Sequence, residues 1–267
     1  MPEISDTEKE QLVLAAFVKK FPKALIRELR EDDFPSLQQE IKEMAARVGK
    51  SIFKIYVVES KKVAAFYHHS TNSMAFTVGM LQHPEIGLVE LQSVVGHEIA
   101  HDLVDYFEYT STAKALTDAL PPTLQFLTVC MGVVAAIHLC FGRVEKARDS
   151  GGVFLLGALT TMIAQKTAPK LQKFCVKAIN RQQELECDAV SVALNMPENP
   201  HGLIKVLEIA EITDQHKPSS HHDWRREMKA SHPTLWNRAL HIENLASNPD
   251  AVEKLQRKYS IKPAHKP

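Results

Sequence analysis

A chain of 267 residues with 45% hydrophobic content is long enough to bury a globular core, as one large domain or two small ones. Lys plus Arg and Asp plus Glu balance at 32 each, so no global field recruits nucleic acid, and nucleic-acid binding is not expected. The four cysteines form no CxxC pair, which points to a reducing compartment without a disulfide framework, and from the acidic amino terminus no secretory signal is expected.

From about Ser5 to Lys50 apolar residues recur at helical spacing, with Leu12, Leu14, Ala15 and Val18 in one run and Leu37, Ile41, Met44 and Val48 in the next. This predicts two amphipathic helices, the second entered through Pro35 and Ser36. "SIFKIYVVES" is rich in β-branched and aromatic residues, and "KKVAAFYHH" and "NSMAFTVGM" are two further strand-like runs joined by a polar turn. Together they predict a small antiparallel sheet. A helical pattern begins at Pro84 and continues through Ile86, Leu91, Val94, Val95, Ile99, Leu103 and Val104, with "VVGHEIAHDLVDYF" at its centre.

Residues 122 to 142 contain no Asp, Glu, Lys or Arg, and they reach the length a helix needs to cross a bilayer. Residues 150 to 165 are also uncharged but shorter, and the intervening "RVEKARD" is read as a compact loop. Two alternatives stand for 122 to 165. One is a membrane hairpin whose flanking lysines place the rest of the protein in the cytosol. The other is a helical hairpin packed on the core of a soluble cytoplasmic protein. Beyond Lys166 come the charged helix "LQKFCVKAINRQQELECDAVSVALNM", the segment "PENPHGLIKVLEIAEI", a loop, a last helix "TLWNRALHIENLAS" and a polar tail.

In "HEIAH", His97 and His101 lie four apart, so on a helix both imidazoles project from one face and can reach one metal ion. A zinc ion held by two histidines and a carboxylate keeps a fourth position for water, lowers the pKa of that water and needs a nearby base. Glu98 is the candidate base. The plain alternative is a buried helix that happens to carry two imidazoles, and a third ligand decides between them. "RQQELECDAV" offers one: Glu184 and Asp188 are also four apart, giving a ligand and a second acid one turn later that can orient a ligating histidine. Such pairs otherwise belong to a solvated helix face, the reading adopted for Glu186.

On these motifs the chain resembles the membrane zinc metalloproteases that include the bacterial protease HtpX and the CAAX prenyl endopeptidases, within the gluzincin group. The resemblance spans about residues 50 to 245. "HEIAH" matches the family's HExxH helix, "RQQELECDA" its Arg-x-x-Glu-x-x-Ala-Asp helix, and "SHPTLWNRALHIENL" its Thr/Ser-His-Pro signature with a following arginine. The resemblance implies one Zn²⁺ per chain held by His97, His101 and Glu184, with Glu98 catalytic and Asp188 behind the ligands. It further implies that the segment of His232 and Arg238 closes over the site, where one or both stabilise the oxyanion or orient Asp188. "KVAAFYHH" aligns with a strand edge where a substrate peptide would add, placing Ala64, Ala65 and Phe66 at the substrate, with Ala64 where the family has Asn.

The departures are Cys187 in place of the usual Ala, which brings a thiol near the metal, and residues 1 to 50, which lack the amino-terminal membrane spans of the HtpX branch. His68, His69, His221 and His222 match nothing in the family and are read as loop residues. The expected architecture is mainly α (α+β), a gluzincin-type fold with a small antiparallel β-sheet and an apolar helical hairpin at 122–165. It divides into N-terminal amphipathic helices over 1–50, a zinc metalloprotease domain over 51–250 and a polar tail over 251–267. The expected activity is zinc-dependent endopeptidase action on an extended protein or peptide. The rivals are a catalytically silent zinc-stabilised peptide-binding or chaperone-like relative, and a structural membrane-hairpin protein without metal.

Overall fold

The structure, a computed structural model, describes residues 5–30, 32–104, 122–123, 144–196, 199–213 and 232–263. The chain divides into two compact units. The first comprises Met1–Asp105, Gln182–Trp224 and Pro233–Pro267; the second comprises Tyr106–Arg181 and Arg225–His232.

The first unit opens with α1, Asp6–Lys20. Its start is set by a reciprocal cap in which the Ser5 hydroxyl accepts from the Glu8 N–H and the Glu8 carboxylate accepts from the Ser5 N–H, satisfying two donors that a helix end leaves orphaned. Next come β1, Ile26–Glu28, and α2, Pro35–Arg47, whose first-turn proline is pre-set for a helix start. Three strands follow: β2, Ile55–Val58; β3, Ala65–His68; and β4, Ser73–Thr77.

The sheet order is β1-β2-β4-β3. The sheet is mixed rather than antiparallel: β1 and β3 run antiparallel to their neighbours, but β2 and β4 pair in parallel with Ile55 opposite Met74. The chain leaves β2 for the far edge, makes β3, and turns back through a 3-10 turn at His69–Thr71 with Asn72 in the left-handed region at φ 50°. Asn tolerates that conformation better than most residues. β4 is buried throughout, as a central strand covered on both faces should be. On one face Tyr56, Val58 and Ala75 pack with Val13 and Phe17 of α1, and Phe17 meets the Tyr56 ring edge-on at 5.8 Å. On the other face Ile55, Val57, Met74 and Phe76 are buried as well.

After the short α3, Val78–Leu81, comes α4, Leu88–Leu103, which begins later than the Pro84 expected and is entered at Gly87. The Glu90 side chain bonds the Gly87 N–H at 2.9 Å and the Lys205 ammonium at 3.0 Å. The remaining helices are α5, Val144–Asn195; α6, Gly202–Thr213; α7, Leu235–Ala246; and α8, Pro249–Lys258.

The expected hairpin takes a different form where it is described. The first limb, 122–142, lies almost wholly outside the described residues. "RVEKARD", read as a loop, is helical from Val144 onward and runs without interruption through 150–165 into the segment carrying Glu184. Among the described residues no helix is long and apolar enough to cross a membrane.

The stretch read as a polar tail forms most of α8. Asn248 caps it, Val252 is buried, and Gln256 donates to the Ala193 carbonyl at 3.0 Å. Nor does Glu186 lie on a solvated face: Lys258 and the Tyr259 hydroxyl both contact its carboxylate, which is largely sheltered. His68 is likewise a strand residue rather than a loop residue. His221 and His222 lie outside the described residues.

Candidate metal centre

α4 and α5 come together at Gly96. A Cβ at that position would lie 3.0 Å from the Asn195 amide nitrogen and 3.1 Å from the Ser191 hydroxyl, so the absent side chain permits the close approach. The Ser191 hydroxyl donates to the Ser93 carbonyl at 2.6 Å, and the Gln183 amide donates to the Val104 carbonyl at 3.1 Å. These bonds fix α5 beside α4 at both ends of the motif.

Within this frame His97 and His101 stack one turn apart on α4, ring centroids 4.8 Å apart and nearly perpendicular at 86°. Glu184 of α5 faces both rings, 3.6 Å from His97 Nε2 and 3.8 Å from His101 Nε2. One ligand atom from each of the three lies within 4.8 Å of the others. Ligands at tetrahedral zinc distances stand about 3.4 Å apart, so the two histidine–carboxylate separations fit a single Zn²⁺ and the donor set, two imidazoles and a carboxylate, suits it chemically.

Behind the ligands stands a second row of polar groups. Asp188, one turn after Glu184 and fully buried, places Oδ1 2.8 Å from His97 Nδ1. Arg238 of α7 grips the same carboxylate with two charge-assisted bonds, Nε to Oδ2 at 2.7 Å and a terminal nitrogen to Oδ1 at 2.6 Å. Another terminal nitrogen of Arg238 lies 3.7 Å from Glu184. The Cys187 thiol sits 3.4 Å from His101 Nδ1. Each histidine therefore has a partner at the ring nitrogen that does not face Glu184.

The electrostatics follow from burial. Burial raises the Asp188 pKa, but the adjacent Arg238 charge and its hydrogen bonds prevail and hold it below the usual carboxylate range. Burial also disfavours the His97 imidazolium, yet the Asp188 hydrogen bond and charge outweigh it, leaving His97 above its ordinary value. His101 has no such carboxylate beside it; burial, then the neighbouring His97, push it down to about 4, favouring the neutral ring that a metal needs. Burial raises Glu98, with Glu184 adding to the effect, while the His97 charge and the Tyr67 main-chain N–H act against it. Burial likewise pushes the Cys187 thiol far up, so it stays protonated.

The Tyr67 N–H belongs to β3, an outer strand of the sheet among the described residues. Ala64 accepts from the Thr77 N–H at 3.0 Å and donates to the Thr77 hydroxyl at 3.1 Å, and Phe66 pairs with Ala75. By the alternation of an antiparallel ladder, the main-chain groups of Ala64 and Phe66 face β4 and those of Ala65 and Tyr67 face outward. Which of these residues face outward is not legible in the sequence, because a strand's inward and outward registers look alike until its partner is known. Of the other expected residues, His232 is exposed and groups with the second unit.

Residues 31–246 match the sequence profile of Peptidase family M48. Similar curated proteins include a "Protease HtpX homolog" of Streptococcus uberis, 30% identical over 201 residues that cover 73% of this chain and 63% of that one. Another, of Streptococcus gordonii, is 28% identical over 188 residues, covering 68% and 59%. The chain thus spans about three fifths of the length of these relatives. Among solved structures, the crystal structure of S. mikatae Ste24p resembles this chain with a TM-score of 0.50 at 17% identity, covering 88% of this chain and 57% of that one, a likeness of fold.

Proposed function

The chain belongs to peptidase family M48, and from that premise we propose that it is a zinc-dependent endopeptidase acting on extended segments of protein or peptide. The observation that carries this reading is the convergence of His97, His101 and Glu184 from two helices onto one metal-sized point, with Glu98 adjacent in sequence to a ligand.

In this reading Zn²⁺ bound by those three side chains supplies an acidified water and a polarised carbonyl. Glu98 accepts the proton of the attacking water and returns it to the leaving amine; a carboxyl whose pKa is raised by burial is suited to both halves of that exchange. Asp188 holds the His97 ring so that Nε2 is presented beside Glu184, and Arg238 holds Asp188. The outward main-chain groups of Ala65 and the Tyr67 carbonyl receive the substrate as an added strand, with the Tyr67 N–H turned to Glu98, Phe66 contributing its side chain and Ala64 spent on β4. Membrane attachment through 122–165, with the metal centre on the cytosolic side, is part of the proposal; it is supported by the uncharged run at 122–142 and the flanking lysines, and carbonate extraction tests it.

Metal content and peptide cleavage measured side by side test the chemistry. Glu98→Gln retains zinc and loses turnover by roughly 10²–10⁴-fold, whereas Glu184→Ala loses the metal. Undiminished cleavage by Glu98→Gln would overturn the proposal. A second reading, a zinc-stabilised peptide binder without turnover, draws on the outward main-chain groups of β3, which can grip a peptide without any chemistry. Peptide binding with intact zinc and no cleavage of a broad library selects it.

A further inference from the structure

α1 ends beside the edge strand. Val13 and Phe17 bury its apolar face on the sheet, and Phe21, just past its end, packs edge-on against Phe66 at 5.1 Å. These contacts fix where the last residue of the helix can reach. Lys20 extends over the same ring, its ammonium 3.4 Å from the Phe66 centroid, a cation–π geometry. The carboxylates of Glu98 and Glu184 both act on that ammonium, against the burial that lowers its pKa. Lys20 therefore stands over the edge strand at Phe66.

A peptide laid along β3 sends alternate side chains to the two faces of the sheet. Those in the row of Phe66 project towards the α1 side, where Lys20 stands; those in the row of Tyr67 project the other way. We propose that Lys20 is a specificity-determining residue that selects peptides bearing an acidic side chain on the face shared with Phe66. The inference rests on the peptidase reading above and narrows its substrate class.

The test uses the zinc-loaded full chain and paired peptides that differ only in Glu against Gln. The wild type favours the Glu peptide. In Lys20→Met the Glu/Gln ratio of kcat/KM falls about two- to fivefold, the range of a partly exposed ion pair. Lys20→Glu reverses the preference towards Lys-bearing peptides, and Lys20→Arg retains it. The preference weakens as salt is raised. A loss in Lys20→Met that is equal for both peptides would mean that Lys20 acts through Glu98 rather than on substrate, and overturns the inference. So does an identical charge profile in all four proteins. Absence of any cleavage by the wild type overturns the peptidase reading and this inference together, whereas cleavage without charge preference overturns this one alone.

Discussion

Arg238 and Asp188 meet in a two-pronged ion pair, 2.7 and 2.6 Å long, sealed from solvent and one contact removed from His97. The pair joins α7 to α5 and, through the imidazole, to α4. Removing one member of a buried pair leaves the other as an uncompensated charge, which costs about 3–5 kcal/mol.

Arg238→Met should therefore destabilise the protein by roughly that amount and weaken zinc binding about 10- to 100-fold, the usual effect of losing support behind a ligand. Arg238→Lys should rescue only part of this, because a single ammonium cannot reproduce the fork. Denaturant unfolding in chelator measures the first effect and competition for zinc the second. Wild-type stability in Arg238→Met would show that the pair is dispensable.

His101 is supported differently. Its second ring nitrogen meets a thiol, a weak hydrogen-bonding group, where His97 meets a carboxylate. Cys187→Ala should lower zinc affinity by about tenfold or less, near the bottom of the range for such partners, and by less than Asp188→Asn does. Zinc competition on the two variants gives the order, and the reverse order would show that the thiol matters more than its chemistry implies.

Gly96 sets the spacing of the two ligand-bearing helices. Gly96→Ala needs its neighbours to yield by a few tenths of an ångström, and those neighbours include Ser191 and Asn195, whose polar ends hold bonds of their own. Gly96→Val needs more. Zinc affinity and melting temperature should fall in that order. A Gly96→Val protein that binds zinc like the wild type would show that the helices are free to separate.

His68 supplies a pH dependence away from the metal. Its ring accepts or donates at the Thr71 hydroxyl, 2.8 Å away, and stands edge-on to Phe17; burial, then the neighbouring His69, lower its pKa from 6.5. The folded state binds this proton less readily than the unfolded chain, so the contribution is complete above about pH 6.5 and declines as pH falls through the folded-state value. The group is half-buried and the decline should be shallow. Unfolding measured from pH 5 to 8 in chelator should show less acid loss in His68→Asn than in the wild type, and parallel curves would remove His68 as the source.

The parts of the centre legible in the sequence are those fixed by local geometry. Four-residue spacing on a helix puts His97 with His101, and Glu184 with Asp188, on shared faces regardless of the rest of the chain. What escaped depends on partners distant in sequence. β1 is three residues long and has no alternating pattern to betray it. The parallel pairing of β2 with β4 depends on β3 looping to the outer edge, which no local propensity encodes. Glu186 looked solvated because Lys258 and Tyr259 lie more than seventy positions away. α8 was more readable than it seemed: Asn248 before Pro249 is a helix-start signal, and its charged composition masked it.

Arg47 donates to the Leu194 carbonyl at the end of α5 and to the Lys262 carbonyl beyond α8, while its own carbonyl accepts from the Lys262 N–H. The final stretch thus acts as a keystone, wedged between an amino-terminal helix and the back of the ligand-bearing one. Trimming the protein after Ala246 would spare every residue of the metal centre, yet it would open a seam along α5 where Gln256 and Tyr259 now close it.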